Sequence, residues 1–226
     1  MNEYPLRFQD GHLFVEMAGE LWFLDTGAPM SFGTMGVLEI AGMDFSLEAN
    51  YLGLTAEALS GVVGTGCTGL LGADVLAHFD HILDAGQGTL TLSTEEDLAV
   101  EGARLPLTEF MGIPILTAQV RGRDHQMFFD TGAQISYLQD DSLTSYPSLG
   151  EVTDFYPGFG EFQTETFEVP IILNRVEFAL RCGQLPSILG MTLIMAGTSG
   201  IVGNQVLADR IVGYFPGRSE LILQEC

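Results

Sequence analysis

Short alternating apolar runs, broken by glycine, recur along the chain. Together with abundant β-branched residues and 28 glycines, they predict an all-β protein. Short helices are expected only at 55–59, 73–79, 140–146 and 204–210. One stretch predicts a β-hairpin over 151–169, with aromatic or β-branched residues alternating on both sides of a Pro157-Gly158-Phe159-Gly160 tip.

The apolar pattern also repeats. Leu21-Trp22-Phe23-Leu24 and Met127-Phe128-Phe129 lead into the same tetrapeptide, Asp25-Thr26-Gly27-Ala28 and Asp130-Thr131-Gly132-Ala133, 105 positions apart. Downstream, Gly69-Leu70-Leu71-Gly72 matches Gly200-Ile201-Val202-Gly203 at an offset of 131. A middle piece, from Ile40 to Leu47, matches the piece from Leu173 to Leu180 at 133. The second copy therefore carries roughly 28 extra residues, between about Tyr137 and Ile171, where the predicted hairpin falls. The first copy runs from Ser31-Phe32 to Val37-Leu38 and has no room for one. The repeat divides the chain into an N-terminal unit, 1–98, and a C-terminal unit, 99–226, with the polar, acidic stretch 93–104 as linker.

A strand that delivers a carboxylate onto a tight Thr-Gly turn, twice, points to two carboxylates at one site. On these motifs the chain resembles the aspartic proteases of the pepsin and retroviral-protease clan, and the resemblance covers nearly its whole length. Retroviral-type proteases are homodimers in which each chain gives one Asp; pepsins are single chains with a flap from the N-terminal lobe. This chain looks like two retropepsin-like units fused, with its one flap candidate in the C-terminal half. The resemblance implies a bilobal acid-protease fold with pseudo-twofold symmetry and a cleft between the lobes, carrying Asp25 and Asp130 as the catalytic pair. It implies that Thr26 and Thr131 cross-brace the lobes beneath that pair, with Gly27 and Gly132 bringing backbone N–H groups to the carboxylates. It also implies that the flap closes over an extended polypeptide substrate, with Phe155, Tyr156, Gly158, Phe159 and Gly160 nearest it. The register of the hairpin, and so which of these side chains faces inward, is open at this point.

The chemistry follows from proximity. At about 4 Å and an effective dielectric of about 20, two carboxylates repel by roughly 4 kcal/mol, or about three pKa units. They therefore share a proton and titrate as a unit. The ionised one acts as general base on a water; the protonated one hydrogen-bonds the scissile carbonyl. Neither a covalent intermediate nor a metal nor any other cofactor is needed. With both carboxylates in one chain, a monomer is expected. The expected activity is an acid-favoured aspartic endopeptidase. The alternatives are a catalytically weak peptide-binding or regulatory module, and a narrow-specificity processing protease.

Charge narrows the partners. The net charge of −22 arises from 30 carboxylates against 8 arginines and no lysine. That field disfavours nucleic acid and anionic membranes. Because few cations remain once carboxylates protonate, self-repulsion in acid stays modest. No apolar run reaches the roughly 18 residues of a membrane span. Met1-Asn2-Glu3-Tyr4-Pro5 lacks the basic and apolar regions of a signal peptide, so a cytoplasmic location is expected, with secretion after loss of a presequence as the alternative. Cys67, Cys182 and Cys226 read as free thiols. His78 and His81, three apart, read as surface histidines rather than metal ligands, and nothing orients Cys67 and a histidine as a thiol nucleophile and base. Asp74 and Asp84 have Gln205 and Phe215 as counterparts and lie outside the pair, and Pro29 stands where the second copy has Gln134.

Overall fold

The computed structural model describes residues 1–95 and 97–224. Glu96 of the expected linker and Cys226 of the expected free thiols lie outside the described residues. Strand dominates, in one ten-stranded and one eight-stranded sheet and two small two-stranded ribbons, so the all-β expectation holds. Among the described residues no helix is long and apolar enough to cross a membrane.

The same three-strand arrangement appears in both halves. Glu20–Leu24 lies parallel to Gly69–Leu71, with Trp22 opposite Gly69 and Leu24 opposite Leu71. Phe32–Gly33 pairs antiparallel on the other side of Gly69–Leu71. In the second half Arg123–Phe129 lies parallel to Gly200–Val202, and Ser136–Leu138 flanks that strand antiparallel. The chain thus turns at each Asp-Thr-Gly between two strands that sandwich the apolar-apolar-Gly strand. Two-residue alternation sorts the side chains. Trp22, Leu24, Leu71, Met127, Phe129 and Val202 enter one core that runs through both halves. Phe23 and Leu70 face a smaller apolar cluster in the first half, and Phe128 and Ile201 a matching one in the second.

The halves also share a sheet. Asn2–Gln9 pairs with Thr89–Ser93, which pairs with Asp80–Asp84. Asp80–Asp84 then pairs antiparallel with Ile211–Phe215 of the second half, His81 opposite Tyr214. Glu220–Leu223 and Ala103–Pro106 complete that edge. The linker between is pinned: Leu98 is buried against Phe215 and Ile222, and its carbonyl accepts from Arg218 Nη2 at 2.7 Å. Arg218 also pairs with Asp80 at 2.6 Å.

Three expectations need correction. Helices were expected at four places only, yet among the described residues Ser187–Met195 forms a fifth and a 3-10 turn at Pro216–Arg218 a sixth. Ser187–Met195 is apolar on nearly every side, so no helical period shows in its sequence; Leu189 and Leu193 pack inward while Ile188, Met191, Ile194 and Met195 are exposed. The four expected are present but shifted: Ala56–Val63 and a single turn at Ala73–Leu76 are α, whereas Asp141–Ser145 and Asn204–Leu207 are 3-10. Finally, His81 is not a surface residue. It is 1% exposed, stacked on Tyr214 with ring centroids 5.1 Å apart, because the strand that carries it lies in the middle of the shared sheet. His78 is exposed, against Phe45. Among the described residues no cluster of three metal-ligating side chains occurs.

Burial pushes the His81 imidazole down to about 4, against the opposing pull of the Tyr214 and Phe79 backbone. A pKa lowered on folding adds stability that is fully present above the unfolded value of 6.5 and is lost as pH falls through about 4. His81 should therefore cost roughly 3 kcal/mol of stability across that window. Urea unfolding at pH 7, 5.5 and 4 is expected to show His81→Phe, which keeps the stack on Tyr214, losing less stability than the unmodified chain by about this amount.

Candidate active site

Each aspartate sits at the end of a buried apolar strand, held there by the third strand: Asp25 N–H donates to Leu71 O at 3.0 Å, and Asp130 N–H to Val202 O at 3.0 Å. The next turn satisfies the carboxylate itself. Gly27 and Ala28 N–H groups donate to Asp25 Oδ1, both at 2.9 Å. Gly132 and Ala133 do the same for Asp130 Oδ1 at 2.9 and 3.2 Å. The two turns face each other so closely that glycine is required. A methyl on Gly27 would lie 2.2 Å from Asp130 Cγ, and one on Gly132 would lie 2.4 Å from Asp25 Cγ.

Beneath the carboxyls the threonines cross over. Thr26 Oγ1 donates to Phe129 O at 2.7 Å and accepts from Thr131 N–H at 3.0 Å. Thr131 Oγ1 donates to Leu24 O at 2.8 Å and accepts from Thr26 N–H at 3.0 Å. Four hydrogen bonds, all buried, thus tie residues over 100 positions apart.

A second symmetric pair lies behind each loop. Ser31 Oγ accepts from Gly72 N–H at 2.8 Å, and Ser136 Oγ from Gly203 N–H at 3.1 Å. These serines fix the apolar-apolar-Gly strand against the Asp-Thr-Gly turn. They stand at the same offset of 105 as the aspartates, so extending the repeat from Asp-Thr-Gly-Ala to Asp-Thr-Gly-Ala-x-x-Ser would have found them. Asp74 serves this scaffold, taking Ser31 N–H and Oγ at 2.8 and 2.6 Å. Asp84 caps a turn at Gln87.

Burial, then the charge and hydrogen bond of Asp130, hold the Asp25 carboxyl well above the usual carboxylate range. Burial raises Asp130 too, against its hydrogen bonds from Asp25, Gly132 and Ala133, and the Asp154 charge adds to the rise. The two form one titrating pair that holds a proton above the ordinary range.

Ser148–Tyr156 and Gly160–Leu173 form the expected hairpin, paired from Ser148 opposite Phe167 to Tyr156 opposite Gly160. Gly158 and Gly160 carry the turn, with φ of 77° and 100°. Alternation settles the register. Phe155 joins the first half's apolar cluster, whereas Tyr156 packs on the second half's and feels the charge of Asp130 and Asp25. Phe159 at the tip is exposed, edge-on to Phe162. Gly158 faces Leu52 of the first half, which a methyl at Gly158 would touch.

Two polar residues beside Asp130 carry no signal in the repeat. Asp154, on the hairpin, accepts the Tyr137 hydroxyl and Phe155 N–H. His12 has its Nδ1 buried without a hydrogen-bond partner among the described residues. Burial lowers its pKa, opposed by the Asp154 charge, the Gly132 backbone and Asp10. Cys67 is half-buried beside Ser60, with burial raising its pKa, the reverse of what a thiol nucleophile needs. Cys182 is buried and free.

No protein-family model matches the chain, and no curated protein matches it.

Removing one threonine hydroxyl orphans a buried N–H and a buried carbonyl, each at about 1–3 kcal/mol. Thr26→Ala and Thr131→Ala should therefore each lower unfolding free energy by roughly 2–6 kcal/mol, and Thr→Ser should restore most of it. Urea denaturation of the singles and the double is the check; because the groups share one network, the double should cost less than the sum.

Proposed function

We propose that this chain is an aspartic endopeptidase in which two retropepsin-like lobes, 1–98 and 99–226, are fused in one polypeptide of acid-protease fold. The observation that carries the reading is the pair of hydrogen-bonded carboxyls, braced from below by threonines of opposite halves. Such a pair holds one proton between two oxygens aimed at the same space. A water there loses a proton to the ionised carboxylate as it attacks the peptide carbonyl. The protonated partner donates to the carbonyl oxygen, offsetting the charge that develops in the tetrahedral intermediate. On collapse the proton taken from water passes to the leaving nitrogen, the partner keeps its own, and the pair returns to its starting state. All proton traffic runs within the pair.

The hairpin supplies the roof. Its strand offers backbone N–H and C=O groups to an extended polypeptide, the way an added strand is held at a sheet edge. Phe155 and Tyr156 rest on opposite halves, so the hairpin bridges the space above the pair and keeps bulk water out. Tyr156 is the flap side chain nearest the reacting atoms in this reading.

Incubation with a denatured, unstructured polypeptide from pH 3 to 7 tests the reading. Asp25→Asn and Asp130→Asn should each lower kcat/KM by about a hundredfold or more. Cleavage that survives either substitution would sink the mechanism; peptide binding with no cleavage by the unmodified chain would favour a binding module.

The pH profile offers a finer check. The singly protonated pair is the active form, so activity is lost on the alkaline side as its one proton leaves. The Asp154 charge raises Asp130, and its removal lets that proton leave at lower pH. Asp154→Asn is expected to move the alkaline limb of kcat/KM downward; a limb that stays put or rises would contradict the electrostatic account.

A further inference from the structure

A cavity of about 250 Å³ opens between the base of the hairpin and the loop that follows Asp130. Gln134, Asp154, Arg181 and Gln205 supply its polar walls. It adjoins the carboxyl pair: Gln134 directly follows Ala133, whose N–H holds Asp130, and the Asp154 charge reaches Asp130.

The walls are chemically divided. Arg181 Nε donates to Thr166 Oγ1 at 2.8 Å and Nη2 to the Leu149 carbonyl at 3.1 Å. Those bonds anchor the guanidinium to the hairpin base but leave other N–H groups unused. The three ion pairs among the described residues do not involve Arg181. Arg181 is one of the five arginines outside those pairs, and it is the one that lines this cavity. Gln205 spends its carbonyl on Arg181 N–H at 3.0 Å, which leaves its NH2 to donate beside the guanidinium. Asp154 supplies the opposite character: each oxygen already accepts one hydrogen bond, from Tyr137 or from Phe155, and retains capacity for another. Gln134 spends its NH2 on Asp10 O at 3.0 Å, leaving its carbonyl to accept. The cavity thus has donors on one wall and acceptors on the other.

We propose that this cavity is a side-chain subsite for a glutamine or asparagine of the bound polypeptide, a proposal that rests on the endopeptidase reading for its ligand. The carboxamide oxygen would accept from Arg181, and the NH2 would donate to Asp154. A neutral group with an acceptor and a donor on one carbon satisfies both walls at once. Glutamate satisfies Arg181 but opposes Asp154, lysine does the reverse, and leucine leaves both charged walls facing hydrocarbon. Arg181 is then a specificity residue set by the hairpin, and the first half, which lacks the hairpin, has no counterpart of this wall.

The test uses acetylated, amidated octapeptides randomised at one position at a time. Retention is read on Asp25→Asn protein and cleavage on the unmodified chain. At one position, glutamine and asparagine should exceed leucine, glutamate and lysine by on the order of tenfold in both readouts. Arg181→Leu should bring the glutamine-to-leucine ratio at that position close to one and leave the rank order elsewhere intact. Arg181→Gln, which can keep the Thr166 contact, serves the same purpose should leucine disturb the hairpin. Arginine-dependent retention of glutamine peptides with no cleavage would uphold the subsite and sink the endopeptidase. Cleavage with no carboxamide preference, or with a preference indifferent to both Arg181 variants, would overturn the subsite alone. Neither retention nor cleavage of any peptide would overturn both.

Discussion

Two carboxyls pressed together repel whenever both are charged, by roughly 4 kcal/mol at short range, and something must hold them there. Here the holding is done one layer below, where Thr26 and Thr131 exchange hydroxyl and backbone hydrogen bonds between the two halves. Each hydroxyl is used twice, as donor to a strand-end carbonyl and as acceptor from the opposite threonine's N–H. No water can replace this pattern without opening the core, since both threonines are almost wholly buried. The glycines next to them then become obligatory, because at this separation neither turn can carry a Cβ. The continuous core and the pairing of Asp80–Asp84 with Ile211–Phe215 extend the same constraint outward, so the halves cannot drift apart without breaking a sheet.

The floor of the site is symmetric and the surroundings are not. Both aspartates receive equivalent backbone bonds, both lean on an apolar-apolar-Gly strand, and both have a serine behind them. Only Asp130 has a third carboxylate near it, because only the second half carries the long hairpin. The first half has no counterpart of it, since its ribbon of Val37–Ile40 and Met43–Ser46 matches the pairing of 170–173 with 176–179 instead. A symmetric floor by itself makes the two carboxyls equivalent. The one-sided hairpin, with Asp154 and the Arg181 anchor, is what breaks that equivalence.

Much of this was legible because repetition carries information that a single motif lacks. Asp25, Thr26 and Gly27 alone are a turn; paired with Asp130, Thr131 and Gly132 in matched apolar flanks, they mark two turns that face and brace each other. The hairpin was legible from its period of two and its Pro-Gly-Phe-Gly tip. What escaped has physical causes. The Ser187–Met195 helix is apolar all round, so periodicity had nothing to report. His81 sits in a strand whose partner, Ile211–Phe215, is 130 residues away, and no local pattern announces a partner that distant. Asp154 lies opposite Phe162 in the hairpin, and the Tyr137 hydroxyl that it accepts and the Asp130 carboxyl that feels its charge lie outside the hairpin, where no local pattern announces them. Leu98, within an acidic stretch, is tied down by Arg218 from the far end of the chain.

The scarcity of basic residues and the carboxyl pair pull in one direction with pH, and His81 pulls in the other. A raised carboxyl pKa in the pair means that folding binds a proton there, which favours the native state in acid. With only 8 arginines and 4 histidines, little positive self-repulsion accumulates as the remaining carboxylates lose charge. The buried imidazole acts against both, because it must take up a proton in the middle of the sheet that joins the halves or unfold to do so. Among the described residues its Nε2 has no hydrogen-bond partner that would welcome the charge. The buried imidazole of the shared sheet therefore weakens the fold as pH falls, and the carboxyl pair weakens it as pH rises. The two can be moved independently, since His81 and the pair lie on different elements and share no hydrogen bond.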